Sequence, residues 1–359
     1  MARPTLSNIK HATPMPSPRV KRAGTSASRL GAKRFQSGTL TAGLKSPRPA
    51  EPPPWTRSTP VKLKANTTVD DAIFIVVSAC RDHWQANVAA AIDGRDAEGI
   101  HQVRVGLRRL RSALTTFKKF IPAAQRMALN EEAKWLLSQL GPARDLDVLI
   151  QELTVPFVDR LSEDSGLAQV MRSARLARTK AQIAAAKALQ GARARRFAAR
   201  LEVWLSGRGW RSGRATQHLV RDTLAADFAK RFLNRRLRNI RTDYDDIDDL
   251  SVEARHDLRI AVKKTRYSIE FFQDLLPAKR VERFTAIMKE LQDSLGHLND
   301  LDVAERTVAA LVKDAESAPA RRLLAGGGET IGLWHHKAAG DAEPETARLW
   351  RKLKKVPLF

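Results

Sequence analysis

A segment of this chain occurs twice at a fixed offset of 155 residues, and no other feature restricts the fold as strongly. The first copy, HQVRVGLRRLRSALTTFKKFIP, starts at His101, and the second, HDLRIAVKKTRYSIEFFQDLLP, starts at His256. The same offset pairs LGPARDLDV at 140–148 with LGHLNDLDV at 295–303, with no gap between the two motifs. This period is far longer than the roughly 20–50 residues of a solenoid repeat. It predicts two similar halves related by a pseudo-twofold axis, with equivalent faces meeting or flanking a shared cleft.

Each copy reads as an amphipathic helix. At about 100° per residue, His101, Arg104, Arg108 and Arg111 share an arc of roughly 80°. His256, Arg259, Lys263 and Arg266 share the same arc in the second copy. The opposite faces carry Val103, Leu107, Leu110, Leu114 and Phe117, and Leu258, Val262, Ile269 and Phe272. Like charges in one stripe repel by a few tenths of a kcal/mol per adjacent pair, and no acid interrupts either stripe. A multivalent anion would remove that repulsion. Arginine forks suit phosphate oxygens, lysine acts as a point charge, and histidine at the head of each stripe can donate a hydrogen bond. The competing reading is a solvated helix face over a core, and the duplication weighs against it.

Helical signals dominate from Thr67 onward, over about 69–92, 98–121, 123–140 and 142–162. Breaks are expected at Asp93-Gly94, Pro122, Gly141-Pro142 and near 162–166. Residues 73–80 (IFIVVSAC) read as a buried helix segment, too short to span a membrane. Residues 167–205 are Ala-rich and strongly basic, with no acid between Gly166 and Leu201; Gly191 kinks or ends that helix. Trp204–Gly213, with three glycines, reads as a loop between the halves. No alternating β pattern is present, and aromatics make up only 6% of the chain, so the fold class is all-α.

The net charge is +24, but its distribution matters more than its size. Residues 1–66 are rich in Pro, Ser, Gly and basic residues, hold a single acid (Glu51), and carry +12. They read as a disordered basic arm. The remaining 67–359, with a first half to about 205 and a second from about 214, carries the other +12. A basic site must therefore rest on arrangement. The lone Cys80 forms no intramolecular disulfide, which fits a reducing cytosol.

The pattern H-x-x-R-V-x-x-R-R-x-R, a following L-G-x-x-R-D-L-D-V, and the second copy H-D-L-R-I-x-x-K-K-x-R-Y resemble the CHAD family (conserved histidine α-helical domain). The closing GLWHHKAAGDAEPETARLWRKLKKVPLF is similar to that family's last helices, so the resemblance covers about 68–359. It implies two antiparallel four-helix bundles around a basic pore or groove that binds inorganic polyphosphate without catalysis. Carried over residue by residue, the phosphate-binding set is His101, Arg104, Arg108, Arg109, Arg111, His256, Arg259, Lys263, Lys264 and Arg266. Arg109 and Lys264 lie off the main arc, on an adjacent wall or the rim. Arg144, and Arg175 from the acid-free helix, complete the set. Asn299 stands where the second copy would repeat Arg144, and the chain ends Pro357-Leu358-Phe359 instead of in a bulkier aromatic.

Other constellations read as structural. Asp145 with Asp147, and Asp300 with Asp302, are spaced i, i+2 and do not face each other on a helix. The first of each pair is expected to orient basic side chains. The acidic run 243–249 lacks the glycine and final glutamate of a calcium loop and is expected to cap the helix starting at 252. His335 and His336 point about 100° apart and do not share a ligand sphere. No Walker loop, nucleophile elbow, zinc spacing or E-x-E-x-K triphosphatase motif is present. No cofactor, metal or catalytic residue is expected. Inorganic polyphosphate is the expected partner, at a cytoplasmic or granule location. Nucleic acid, bound through the arm and residues 172–200, is the alternative, and an enzyme acting on polyphosphate is a third reading.

Overall fold

The computed structural model of the chain describes residues 51–359 apart from 161, 163–164, 213–220, 246 and 248–249; of 158–160, 252 and 297–300 it describes the backbone alone. Residues 1–50 of the expected arm lie outside the described residues. In chain order the first half contains α1 (Val69–Ala86), α2 (Val88–Asp93), α3 (Ala97–Thr116), α4 (Ala123–Val148), α5 (Gly166–Gln190) and α6 (Ala192–Ser206). The second contains α7 (Ala225–Asp243), α8 (Val252–Phe271), α9 (Ala278–Ser294), α10 (Gly296–Lys313) and α11 (Ala318–Lys354). No strand forms among the described residues; one antiparallel bridge joins Thr68 to Leu224. The expected all-α fold is therefore present.

Local chemistry sets the helix starts. The side chains of Thr68, Asp96, Ser165, Ser251 and Ser317 each accept a hydrogen bond from a backbone N–H in the first turn of α1, α3, α5, α8 and α11. Within the halves, α1 packs on α3, α3 on α4 and α4 on α5, while α8 packs on α7 and α9, and α11 on α9 and α10. The halves are joined by α5 with α11 and α3 with α8, and by smaller contacts of α10 with α4 and α5 and of α1 with α7. The crossing of α5 and α11 depends on glycine, because a Cβ on Gly166 would sit 2.6 Å from the Leu323 carbonyl oxygen. The main core runs from Val61 to Phe359, and a second apolar cluster joins Leu149 and Leu153 to Val170, Val308 and Ile331. At the centre of the main core Phe117, Phe228 and Phe272 pack with ring centroids 5.8–5.9 Å apart. The chain terminus joins this core: Phe359 packs on Phe284 at 4.9 Å, and Asn234 bonds both its N–H and its carbonyl.

Several expectations need correction. Residues 51–66, assigned by sequence to the arm, are packed chain. Val61 and Leu63 are buried, Trp55 Nε1 donates to Asp96, and Asn87 pairs through its side-chain amide with the backbone of Thr56. Two apolar side chains and a few polar anchors hold this stretch, too sparse a pattern to stand out among prolines. No break occurs at Gly141-Pro142, where α4 continues through Pro142. The proline withholds a donor from the preceding turn, yet α4 is packed along both α3 and α5, and that contact keeps it helical. The helix expected to reach 162 stops at Val148 and gives way to a π-turn over Leu149–Leu153 and a 3₁₀ turn over Val155–Arg160. The α8 cap is Ser251, not the acidic run, in which Asp245 pairs instead with Lys354. His335 is buried with Nε2 3.1 Å from the Leu153 carbonyl, whereas His336 is exposed.

Candidate anion-binding site

The apolar faces of α3 and α8 anchor the two cationic stripes. Val103, Leu107, Leu110 and Leu114 are buried on α3, as are Leu258, Val262 and Ile269 on α8. A fully buried leucine or isoleucine contributes about 1.5–3 kcal/mol. That outweighs the few tenths of a kcal/mol of repulsion between neighbouring cations on the outer face. The helices therefore form with the like charges held side by side.

A cavity of about 470 Å³ opens where the stripes meet. α3 lines it with His101, Val105, Arg108 and Arg109, and α8 with Lys263, Arg266, Tyr267 and Glu270. The packed segment before α1 supplies Ser58–Val61, and Gln273 completes the lining. Glu270 is the acid on this wall, and it is already engaged by Arg266 one turn away. Among the described residues neither Arg108 nor Lys263 has an ion-pair or hydrogen-bond partner, and Arg108 Nε is buried without an acceptor.

The electrostatics show how crowded these cations are. Burial, followed by the charges of Arg108, Arg259, Arg266 and Arg104, pushes the Lys263 ammonium down to about 7. Burial and the neighbouring Arg144, Arg108 and Arg104 push His101 down to about 4, against a smaller opposing pull from Glu98. Arg104 falls to about 10, chiefly through burial and Arg108, with Asp145 acting in the opposite direction. An anion entering here would raise all three values, so binding is coupled to proton uptake.

The remaining candidates divide. Arg109 is buried, lies off the stripe and sets its guanidinium 5.7 Å from the Phe271 ring centre while lining the cavity. Arg104 donates to the Leu137 carbonyl at 2.9 Å, one residue from the carbonyl that Pro142 leaves without its helical donor. Arg111 Nε donates to Asn130, and its charge, with that of Arg236, lowers the exposed Lys264 after burial. Arg259 acts on Lys263 but does not line the cavity, His256 is exposed outside it, and Arg144 lies close enough to act on His101 while pairing with Glu152 at 2.6 Å. Arg175 is exposed on α5, away from the cavity lining. Of the first aspartate pair, the second member makes the ion pair: buried Asp147 accepts from Arg178 Nε at 2.5 Å, whereas Asp145 acts only through its charge on Arg104. The Asp300 side chain lies outside the described residues.

Sequence reasoning missed other contributors: Ser58–Val61 come from a stretch read as arm, Glu270 lies one turn beyond Arg266, and Arg236, which acts on Lys264 outside the lining, has no counterpart motif. No cluster of three or more metal-ligating side chains forms among the described residues, and no helix there is long and apolar enough to cross a membrane. The Cys80 thiol is buried and pushed up to about 12, so it is not a reactive nucleophile.

No curated relative matches the chain. Among solved structures, the CHAD domain from the plant Ricinus communis matches at 28% identity and a TM-score of 0.72, covering 85% of this chain and 98% of that one. PptA from Streptomyces chartreusis shares the fold at 15% identity and a TM-score of 0.58, covering 79% of this chain and all of that one. The family model for the CHAD domain matches residues 75–309, which include both cationic stripes and the cavity residues that α3 and α8 supply, but not Ser58–Val61. The chain belongs to the CHAD family.

Proposed function

We propose that this protein binds linear inorganic polyphosphate, without turning it over, through the cations that α3 and α8 bring to the cavity. One observation carries this reading. Arg108 and Lys263, equivalent positions of the two repeats, meet in one cavity with no ion-pair partner among the described residues. A half-buried cation without a counterion is costly, and a chain of phosphates supplies one negative charge after another. His101, Arg109 and Arg266 line the same space, and Arg104 and Arg259 add to the local potential. Tyr267 is the one aromatic residue in the lining, and the Arg266 guanidinium already lies 5.2 Å from its ring centre. The cavity therefore offers no free platform for stacking bases, which favours a base-free polyanion over single-stranded nucleic acid. Family membership supports the same ligand class.

The second reading, nucleic-acid binding, draws on the exposed cations Arg175, Lys180, Lys187, Arg195, Arg196 and Arg200 of α5 and α6. Titration of the full chain with long-chain polyphosphate and with duplex DNA, at roughly 0.15 M salt where nonspecific contacts weaken, separates the two. Tight polyphosphate binding that is lost on changing Arg108 and Lys263 to glutamate is the expected result. Equal binding of both polymers, unchanged in that variant, would overturn the proposal in favour of nucleic acid.

A further inference from the structure

The segment before α1 does more than pack. Trp55 Nε1 donates to Asp96 Oδ2 at 2.8 Å, at the N-terminus of α3, and the Thr56 N–H donates to Asn87 Oδ1 at 2.8 Å. At the other end Val61 and Leu63 are sunk in the core, and the Leu63 N–H donates to Asp274, just past the C-terminus of α8. Between these anchors Ser58, Thr59, Pro60 and Val61 form part of the cavity lining. The strap therefore runs from one stripe-bearing helix to the other and gives the cationic cleft a third wall. It brings no acid to that wall, and Pro60 restricts its backbone.

We propose that this strap is a specificity wall, which admits a slender unbranched polyanion to the cations of α3 and α8 and excludes a duplex. The inference rests on the binding site proposed above and adds a selection rule to it. A duplex holds its phosphates on a rigid stacked helix, across grooves about 6 Å and about 12 Å wide, and cannot feed one strand into a cleft walled on three sides. A chain of linked phosphates has no such bulk. With the strap removed, Arg108 and Lys263 would face an open surface that a duplex backbone can approach, because its affinity for cations is independent of sequence.

The test uses the full chain in two altered forms. In one, Trp55→Ala, Val61→Ser and Leu63→Ser release the anchors. In the other, Ser58, Thr59 and Pro60 become glycine with the anchors intact, so the wall is softened at little risk to folding. Thermal melts confirm that each variant is folded. Duplex affinity is expected to rise at least ~10-fold in the released strap and less in the glycine strap, with the ratio of polyphosphate to duplex affinity falling accordingly. That gain must disappear when Arg108→Glu and Lys263→Glu are added. Unchanged duplex affinity in both folded variants would overturn the proposal, as would a gain that survives the two charge reversals. The duplex gain is read without polyphosphate, so a wild-type chain that fails to bind polyphosphate would sink the function proposed above and leave the wall's own test intact.

Discussion

Two regions of this protein are strongly basic, and they differ in everything except charge. α5 and α6 carry most of their cations on exposed outer faces, where water solvates them and where some already have partners: Arg193 pairs with Glu132 and stacks on Trp135, and Arg195 donates to the Gln190 carbonyl. The α3–α8 cleft holds fewer cations, but they are half-buried and turned toward one another, and Lys263 is driven down to about 7 by burial first and by its cationic neighbours second. A solvated lysine in high dielectric gains little from one more anion, whereas a desolvated cation without a partner gains much. Basic composition therefore marks a polyanion site poorly, and an uncompensated, partly dehydrated cluster marks it well.

The contrast is broken most directly by charge reversal. Arg108→Glu with Lys263→Glu should weaken polyphosphate binding by about 10²–10⁴-fold, taking about 1.5–3 kcal/mol for each charge-assisted contact. Arg175→Glu with Lys180→Glu on α5 should change it less than ~3-fold, as expected of screened surface charges. Equal losses from the two pairs, measured by calorimetric titration, would erase the distinction.

The regions should differ in anchoring as well. Leu107→Ala, beneath the α3 stripe, should cost about 2–5 kcal/mol of stability in denaturant unfolding. Ile183→Ala, 65% exposed on α5, should stay within about 0.5 kcal/mol. A small cost at Leu107 would mean that the stripe is not held by its buried face.

A pH titration sharpens the comparison further. Lys263 is depressed to about 7 in the free protein, and a phosphate bound beside it would raise it. The Lys263 share of the affinity should be complete below about pH 7 and decline as pH rises through and above it, because the bound anion requires the proton. Lys263→Arg should flatten that decline. The same shift acts on folding with the opposite sense. Below pH 7 the lysine is protonated in both states and its burial cost is complete. Between 7 and the ordinary lysine value the unfolded chain holds the proton and the folded one does not, so stability rises with pH. The melting temperature of the free wild type should therefore rise with pH relative to Lys263→Met across that window. Parallel melting curves for the two proteins would overturn the account.

Salt gives the smallest effect. Each groove cation removed should reduce the slope of log affinity against log salt by about 1, and each α5 cation by much less.

Much of this was legible in the residues. The repeat at His101 and His256 located the two stripes, and the 3.6-residue spacing correctly separated Leu107 and Val262 from Arg108 and Lys263. Arg109 fell off the arc in the sequence and proved to be a buried residue of the adjacent wall, stacked on Phe271. Arg175 stood out through the acid-free helix around it, yet it lies away from the cavity lining, because one-dimensional charge density carries no direction. The strap was missed for a related reason. Its prolines and cations resemble those of the preceding 50 residues, and the anchors that distinguish it, Asp96, Asn87 and Asp274, are distant in sequence.

The sequence by itself determined the helical class, the amphipathic character of α3 and α8, and the identity of the cations on them. These follow from short-range periodicity, which depends only on the geometry of a single helix. The tertiary structure decided that the two stripes share one cavity and that Pro142 stays within a helix. It also turned Arg104 partly toward a backbone carbonyl and made a proline-rich segment the third wall. Each of those outcomes depends on contacts between residues far apart in the chain, where packing and desolvation override local preference.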